Sequence, residues 1–437
     1  MNSKRRSTRS LMPVRWRVFA VIALGSFVSY VLRANLSIAA PAMMEDLSLS
    51  EADWGLVLAA FTAGYALFQF PGGMLGDRFG PRKALTAIAV AWFIFTVLTA
   101  LVPSSAPPAL ILALLVTVRF GVGAVHAPIF PVQNTVFAHW FPPGGRALPL
   151  GLSSTALTLG FAAAAPLLAG LIVLFGWRGS FLLIAPLGLL VASLWWWYGR
   201  DDPSEHRGVD AAELALIRGE GAGRPAGEGE ADAPGPIPWK RVLLNRDVLF
   251  LMASYSCMNF VFYEVFNWFY LYLVEQRGFD PVTAGWVTSS QWIAGAAGAA
   301  LGGWLCDRLC RRLGLRWGSR LPIVIGLLIC GALLAAGAVA DTPALAVALL
   351  ALCFFFNQVT EGAYWASSIS IGGRLAGSAG GVMNTGANVM GIANAMLVPW
   401  FAQAFGWTFA IASGALFALA GAVFMLLVRA DRPLDLP

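Results

Sequence analysis

Long apolar runs separated by short polar stretches set the pattern of this chain. A helix needs about 20 mostly apolar residues to cross a hydrocarbon core. Runs of that kind lie at 18–40, 54–75, 84–102, 109–130, 148–172 and 179–198, and again at 248–272, 284–305, 321–340, 344–366, 379–403 and 407–428. They predict twelve membrane-spanning helices. Gly and Ala are scattered through them, as suits close helix packing in lipid. The alternation of a membrane barrel, in segments of about ten residues, is not the pattern here.

Composition agrees with the pattern. Of 437 residues, 58% are hydrophobic and only 12% charged, roughly half the charged share of an ordinary soluble protein. That is too little polar surface to cover a water-facing globule. The basic stretch from Lys4 to Arg17 leads straight into the first span. It lacks the small-residue cleavage site of a signal peptide. Five cysteines, Cys257, Cys306, Cys310, Cys330 and Cys353, lie in apolar stretches and read as small core residues, not as a disulfide or metal framework.

Charge gives an orientation. Of the 29 Lys and Arg, 25 fall at the termini or in the even-numbered loops. By the positive-inside rule both termini are then cytoplasmic and the chain is a multi-pass protein of the inner membrane. The net charge of +6 reflects this asymmetry, and no aromatic-interleaved basic patch suggests nucleic acid. The stretch 200–246 is rich in Gly, Pro and Glu after a possible short amphipathic helix near 209–219. Such a composition buries too little apolar surface to order itself. We read 1–199 and 247–437 as two six-helix halves joined by a flexible cytoplasmic linker.

The halves repeat each other. GGMLGDRFGPRK (72–83) recurs as GGWLCDRLCRR (302–312), which places Asp307 230 positions after Asp77. FGW (175–177) recurs as FGW (405–407) at the same step. Six-helix halves repeated in parallel are a transporter architecture. The glycines, Gly73 among them, allow two helix ends to approach, and Asp77 suits the positive N-terminus of a neighbouring helix. Arg78, Arg82, Asp307 and Arg308 complete a candidate gate that holds one side shut.

The GGMLGDRFGPRK loop resembles the signature of the major facilitator superfamily. YVLRANLSIAAP (30–41), GYALFQFPGG (64–73), RFGVGAVHAPIFPVQN (119–134), HWFPPGGR (139–146), FGWRGSF (175–181) and AGSAGGVMNTGANVMG (376–391) resemble its anion:cation symporter family. That group includes galactonate, glucarate, vesicular glutamate and sialic acid carriers. The resemblance implies an all-α membrane fold of twelve helices and a substrate carboxylate held by Arg33 and Arg119. It also implies cavity residues Tyr30, Tyr65 and Asn384, with Trp365 as the matching tryptophan of the tenth span.

The residues support an anion site independently. An arginine placed mid-helix costs about 2.5–3.5 kcal/mol on insertion scales, so it belongs in a bundle interior or a wet cavity. The ionisable residues well inside spans are Arg33, Arg119, His126, Glu264 and Glu361, in every third span. Arg119 and His126 are seven apart, so nearly on one helical face. The chain departs from proton-coupled relatives at two positions: Leu32 stands where they carry Asp, and His126 where they carry Glu. Any proton coupling must then use His126, Glu264 or Glu361. Glu264 is favoured because the 230-residue step carries Arg33 onto Tyr263, its neighbour.

These features predict a secondary active transporter of a small organic anion, a carboxylate or sugar acid, working by alternating access. It would be monomeric, with no cofactor and with protons as a candidate coupling ion. The runner-up is an efflux antiporter of an amphipathic metabolite or drug, suggested by the missing acidic pair and the aromatic stretch 260–270. A membrane enzyme would need a convergent catalytic set, which a lone His126 does not supply.

Overall fold

A computed structural model describes residues 12–219, 239–279 and 281–434. The basic N-terminus before residue 12 and the 220–238 part of the predicted linker lie outside them. The described residues are helical almost throughout. In the first half these are α1 (Val14–Asp46), α2 (Glu51–Phe79), α3 (Pro81–Ala100), α4 (Pro108–His126), α5 (Ile129–Trp140), α6 (Ala147–Ile184) and α7 (Pro186–Tyr198). Two short helices follow, α8 (Ala211–Arg218) and α9 (Trp239–Leu244). The second half holds α10 (Arg246–Arg277), α11 (Pro281–Ala338), α12 (Pro343–Val359), α13 (Glu361–Gly372), α14 (Ala376–Phe405) and α15 (Trp407–Leu427).

Local signals set the helix ends. Ser50 and Asp53 form a reciprocal cap at the start of α2, each side chain accepting from the other's backbone N–H at 3.1–3.2 Å. Asn245 caps α10 by accepting from the N–H groups of Asp247 and Val248. Proline opens α3, α4, α7 and α12, where its missing N–H costs nothing.

Ten segments are long and apolar enough to cross a membrane among the described residues. Two of them, Ser290–Ala338 and Pro343–Phe405, run 49 and 63 residues. At about 1.5 Å per residue each exceeds twice the roughly 30 Å hydrocarbon core. A glycine in the left-handed region interrupts each one, Gly314 at φ 78° and Gly373 at φ 54°. Both fall between runs that the hydrophobic pattern separates. The two Phe-Gly-Trp repeats likewise mark the same reversal twice, with Gly176 at φ 68° and Gly406 at φ 84°.

Within the first half α1 packs on α6, α2 on α4 and α3 on α7; in the second α10 packs on α14 and α11 on α12 and α15. The halves meet along α2 against α14 and α6 against α11. Leu67, Val173, Leu174, Trp197, Trp286 and Met396 are exposed, an apolar outer surface of the kind a bilayer covers. All five cysteines are buried.

The predicted linker is structured at both ends. Glu213 on α8 accepts from the N–H groups of Val14 and Arg15 at 3.1 Å, capping α1. Asp201 accepts from the N–H of Arg82 at 2.7 Å, in the first turn of α3. His206 packs edge-on to Trp140 and Tyr198, and Ile217 is buried. The short helix expected near 209–219 is present as α8, and residues 200–218, expected as part of a flexible linker, pack on the first half. The reason is that capping unpaired helix N–H groups needs only a few well-placed acids and no large apolar surface. These contacts lie at the face where α1 begins and α15 ends, called the terminal face below.

Candidate functional site

Two glycines bring α2 and α4 together. A Cβ on Gly64 would lie 2.2 Å from the Phe120 carbonyl oxygen, and one on Gly123 2.1 Å from that of Phe61. This approach sets Phe61 and Arg119 side by side. Phe61 and Tyr65, one turn apart, stack with centroids 5.8 Å apart. The Arg119 guanidinium carbon lies 5.1 Å from the Phe61 centroid. From α1, that of Arg33 lies 4.9 Å from the same ring and 5.3 Å from both Tyr30 and Tyr65. Arg33 also donates to the Tyr30 hydroxyl at 3.2 Å. Arg33, Arg119, Tyr30 and Tyr65 therefore converge as the sequence predicts.

Among the described residues the site gathers two cations and no counter-charge. Among the described residues neither guanidinium pairs with a carboxylate. Arg119 is only 5% exposed, and its Nε has no hydrogen-bond partner. Cation–π contact with Phe61 offsets part of the burial, by about 0.5–2 kcal/mol. A bound anion would satisfy the rest.

The second half contributes differently from what was expected. Tyr263 on α10 lies within electrostatic reach of Arg33 and donates to Asn388 Oδ1 at 3.4 Å. Glu264 does not share that space. Its carboxylate packs where a Gly414 Cβ would sit 2.1 Å from Oε2, near Leu334, and neither oxygen has a partner. The physical reason is the helix period: neighbours in sequence are about 100° apart around the axis. Glu361 accepts at Oε1 from the Tyr255 hydroxyl at 3.0 Å and from Trp365 Nε1 at 2.9 Å. The Trp365 indole is thereby committed, and its ring packs at a tilt against Phe130 of the first half with centroids 5.8 Å apart. Asn384 is buried on α14, one turn from Asn388.

His126 also departs from expectation as a ligand-facing residue. Nδ1 lies 2.9 Å from the Val122 carbonyl and Nε2 3.4 Å from that of Ser29. Its ring packs on Trp92 with centroids 5.4 Å apart. With both nitrogens turned to backbone carbonyls, neither is presented to the pocket.

Toward the terminal face the halves are closed in layers. Below Phe130 and Trp365 the space lined by Gln133, Leu150, Ser153 and Ser154 is about 10 Å³, room for one water at most. Next come two matched caps. Asp77 accepts from the Gly377 N–H at 3.0 Å, from the Ser378 N–H and hydroxyl at 2.7 Å, and from the Thr135 hydroxyl at 3.0 Å. Asp307 accepts from the N–H groups of Ala147 and Leu148 at 2.8 and 3.0 Å. Each aspartate thus caps a helix of the opposite half, α14 or α6, with carboxylate set against the positive helix end.

Among the arginines of the repeated motif, Arg311 crosses the seam by donating to the Gly144 carbonyl at 3.4 Å, whereas Arg78, Arg82 and Arg308 contact their own half. Arg82 donates to the Trp196 carbonyl at 2.7 and 3.1 Å, at the end of α7. Arg78 lies over Phe79 and Arg308 over Trp304, each on its own helix. Backbone N–H groups supply the positive partner that these side chains were expected to provide. Gly73 does belong to the seam, since a Cβ there would lie 2.3 Å from the Gly377 carbonyl oxygen. Overpacking of this kind costs about 1–3 kcal/mol. Because it falls on the closed state alone, Gly73→Ala is expected to shift the balance roughly 5- to 150-fold toward opening at this face. Faster amide exchange at Gly377 and Ser378 checks it, and unchanged protection there would refute it.

Phe61 was missed by sequence reasoning, and Tyr263 was named only as the symmetry mate of Arg33, not as a site residue. The one signal for Phe61 is its spacing of four from Tyr65, which puts both on one face of α2.

The Major Facilitator Superfamily model matches residues 22–395. The chain belongs to that superfamily. Among major facilitators it is 32% identical over 395 residues to the "Probable sulfoacetate transporter SauU" of Cupriavidus necator, covering 90% of this chain and 88% of the relative. It is 32% identical over 426 residues to the "Hexuronate transporter" of Bacillus subtilis, covering 95% and 94%. The fold is similar to the crystal structure of the major facilitator FucP in its outward conformation, with TM-score 0.72, 17% identity and coverage of 95% and 99%.

Proposed function

We propose that this major facilitator is a secondary active transporter of a small organic anion, working by alternating access in the cytoplasmic membrane. One observation carries the reading: Arg33 and Arg119 stand over the same buried ring with no acid beside them. Relatives named for sulfoacetate and hexuronate support it. Dividing the two longest segments at Gly314 and Gly373 yields twelve crossings, and the basic loops put both termini in the cytoplasm. The closed terminal face is then the inner one. A cationic or amphipathic amine substrate would face two like charges, which argues against the drug-efflux alternative.

A thermal-shift screen of the purified protein against organic acids and hydrophobic amines tests this. Stabilisation by at least one acid and by none of the amines is expected. Stabilisation by amines alone would sink the reading.

A further inference from the structure

From the charge balance of the pocket we infer that the transported anion is doubly charged and that the carrier turns over by exchange, returning loaded and not empty. This rests on the reading of the pocket as the anion site. The two guanidinium carbons lie 4.9 and 5.1 Å from one ring centroid, and the sum of these distances bounds their separation at 10.0 Å. Two cations held within that limit inside the protein repel each other.

No acid among the described residues can step in when the anion leaves. The position beside Arg33 is Leu32, itself buried. His126 turns both ring nitrogens to backbone carbonyls, one of which can accept from the neutral ring, Glu361 is held by Tyr255 and Trp365, and Glu264 packs against Gly414. A monoanion would leave one positive charge bare. A short dianion, such as a dicarboxylate or a sulfocarboxylate, neutralises both. Alternation passes through a state closed on both sides, and only the loaded pocket enters it neutral. Dianion-for-dianion exchange follows, with no net charge moved and no proton required.

Purified full-length protein in proteoliposomes tests this with sulfoacetate and galactarate as dianions and acetate and galactonate as monoanions. The dianions are expected to bind at least about tenfold more tightly than the monoanions. External dianion should speed efflux of labelled internal dianion at least roughly twentyfold over anion-free medium, with no accumulation on an imposed pH gradient. Leu32→Asp, which supplies the missing counter-charge, should allow efflux into anion-free medium and narrow the dianion preference to within about threefold. If that variant does not fold, the wild-type measurements decide alone. Equal binding of mono- and dianions, efflux into anion-free medium at the exchange rate, pH-driven accumulation, or a folded Leu32→Asp that behaves as wild type would each overturn the exchange inference while the anion site stands. Binding of none of the four probes would overturn both.

Discussion

Arg33→Lys and Arg119→Lys are each expected to weaken anion binding about 10- to 150-fold, the effect of losing a charge-assisted hydrogen bond worth about 1.5–3 kcal/mol. The loss should be specific, with folded protein at normal yield, because neither side chain holds a helix in place. Arg33 spreads one flat guanidinium over Tyr30, Phe61 and Tyr65. A lysine ammonium is a compact, strongly hydrated charge that neither stacks on three rings nor presents a planar fork to an acid group. Arg119 is buried with Nε unpartnered, so its Lys replacement also loses a donor left for the anion. Isothermal titration with an anion identified in the thermal screen measures both. Near-normal affinity in both variants would remove them from the site.

The second large effect belongs to the seam. Asp77→Asn keeps one carbonyl oxygen but loses the charge and the second acceptor that serve Gly377, Ser378 and Thr135. We expect the closed terminal face to lose about 2–3 kcal/mol, a roughly 30- to 160-fold shift in the opening equilibrium. Asp307→Asn gives up only the Ala147 and Leu148 contacts and should shift it less. Amide exchange at residues 377–378 and 147–148 reads the two caps separately, and the transport rate should fall in step. Anion affinity should change less than about fivefold, since a ligand that binds both states alike shifts neither. A binding loss as large as that of the Arg33 variant would contradict a pure gating role.

Much of this was legible in the sequence because lipid imposes simple rules. Apolar run length gave the spans, and a 230-residue step gave the duplication. Intramembrane charges gave Arg33 and Arg119. Asp77 was legible as a partner for a helix N-terminus, although not which helix. What stayed hidden depends on rotation and on partners. Glu264 was placed in the cavity through its neighbour Tyr263, but one residue turns the helix through about 100°, and only Tyr263 faces Arg33. His126 has the spacing that the sequence suggested, yet its ring turns to the carbonyls of Val122 and Ser29, a rotamer choice set by packing. Phe61 carries no signal in composition, being one of 29 phenylalanines. It matters because Gly64 and Gly123 let α4 approach its backbone.

The docking of α8 on the start of α1 changes what joins the two halves. With Glu213 fastened to Val14 and Arg15, about 20 residues of chain separate the end of α8 at Arg218 from the start of α9 at Trp239. A chain of about 20 residues spans at most roughly 70 Å when fully extended. The halves are then best regarded as two partners of a dimer joined in one chain, so that neither can diffuse away from the other. Their shared surface need not be strong enough to keep them together. It is free to be made of contacts that come apart on every cycle, aspartates on helix ends and glycine against glycine.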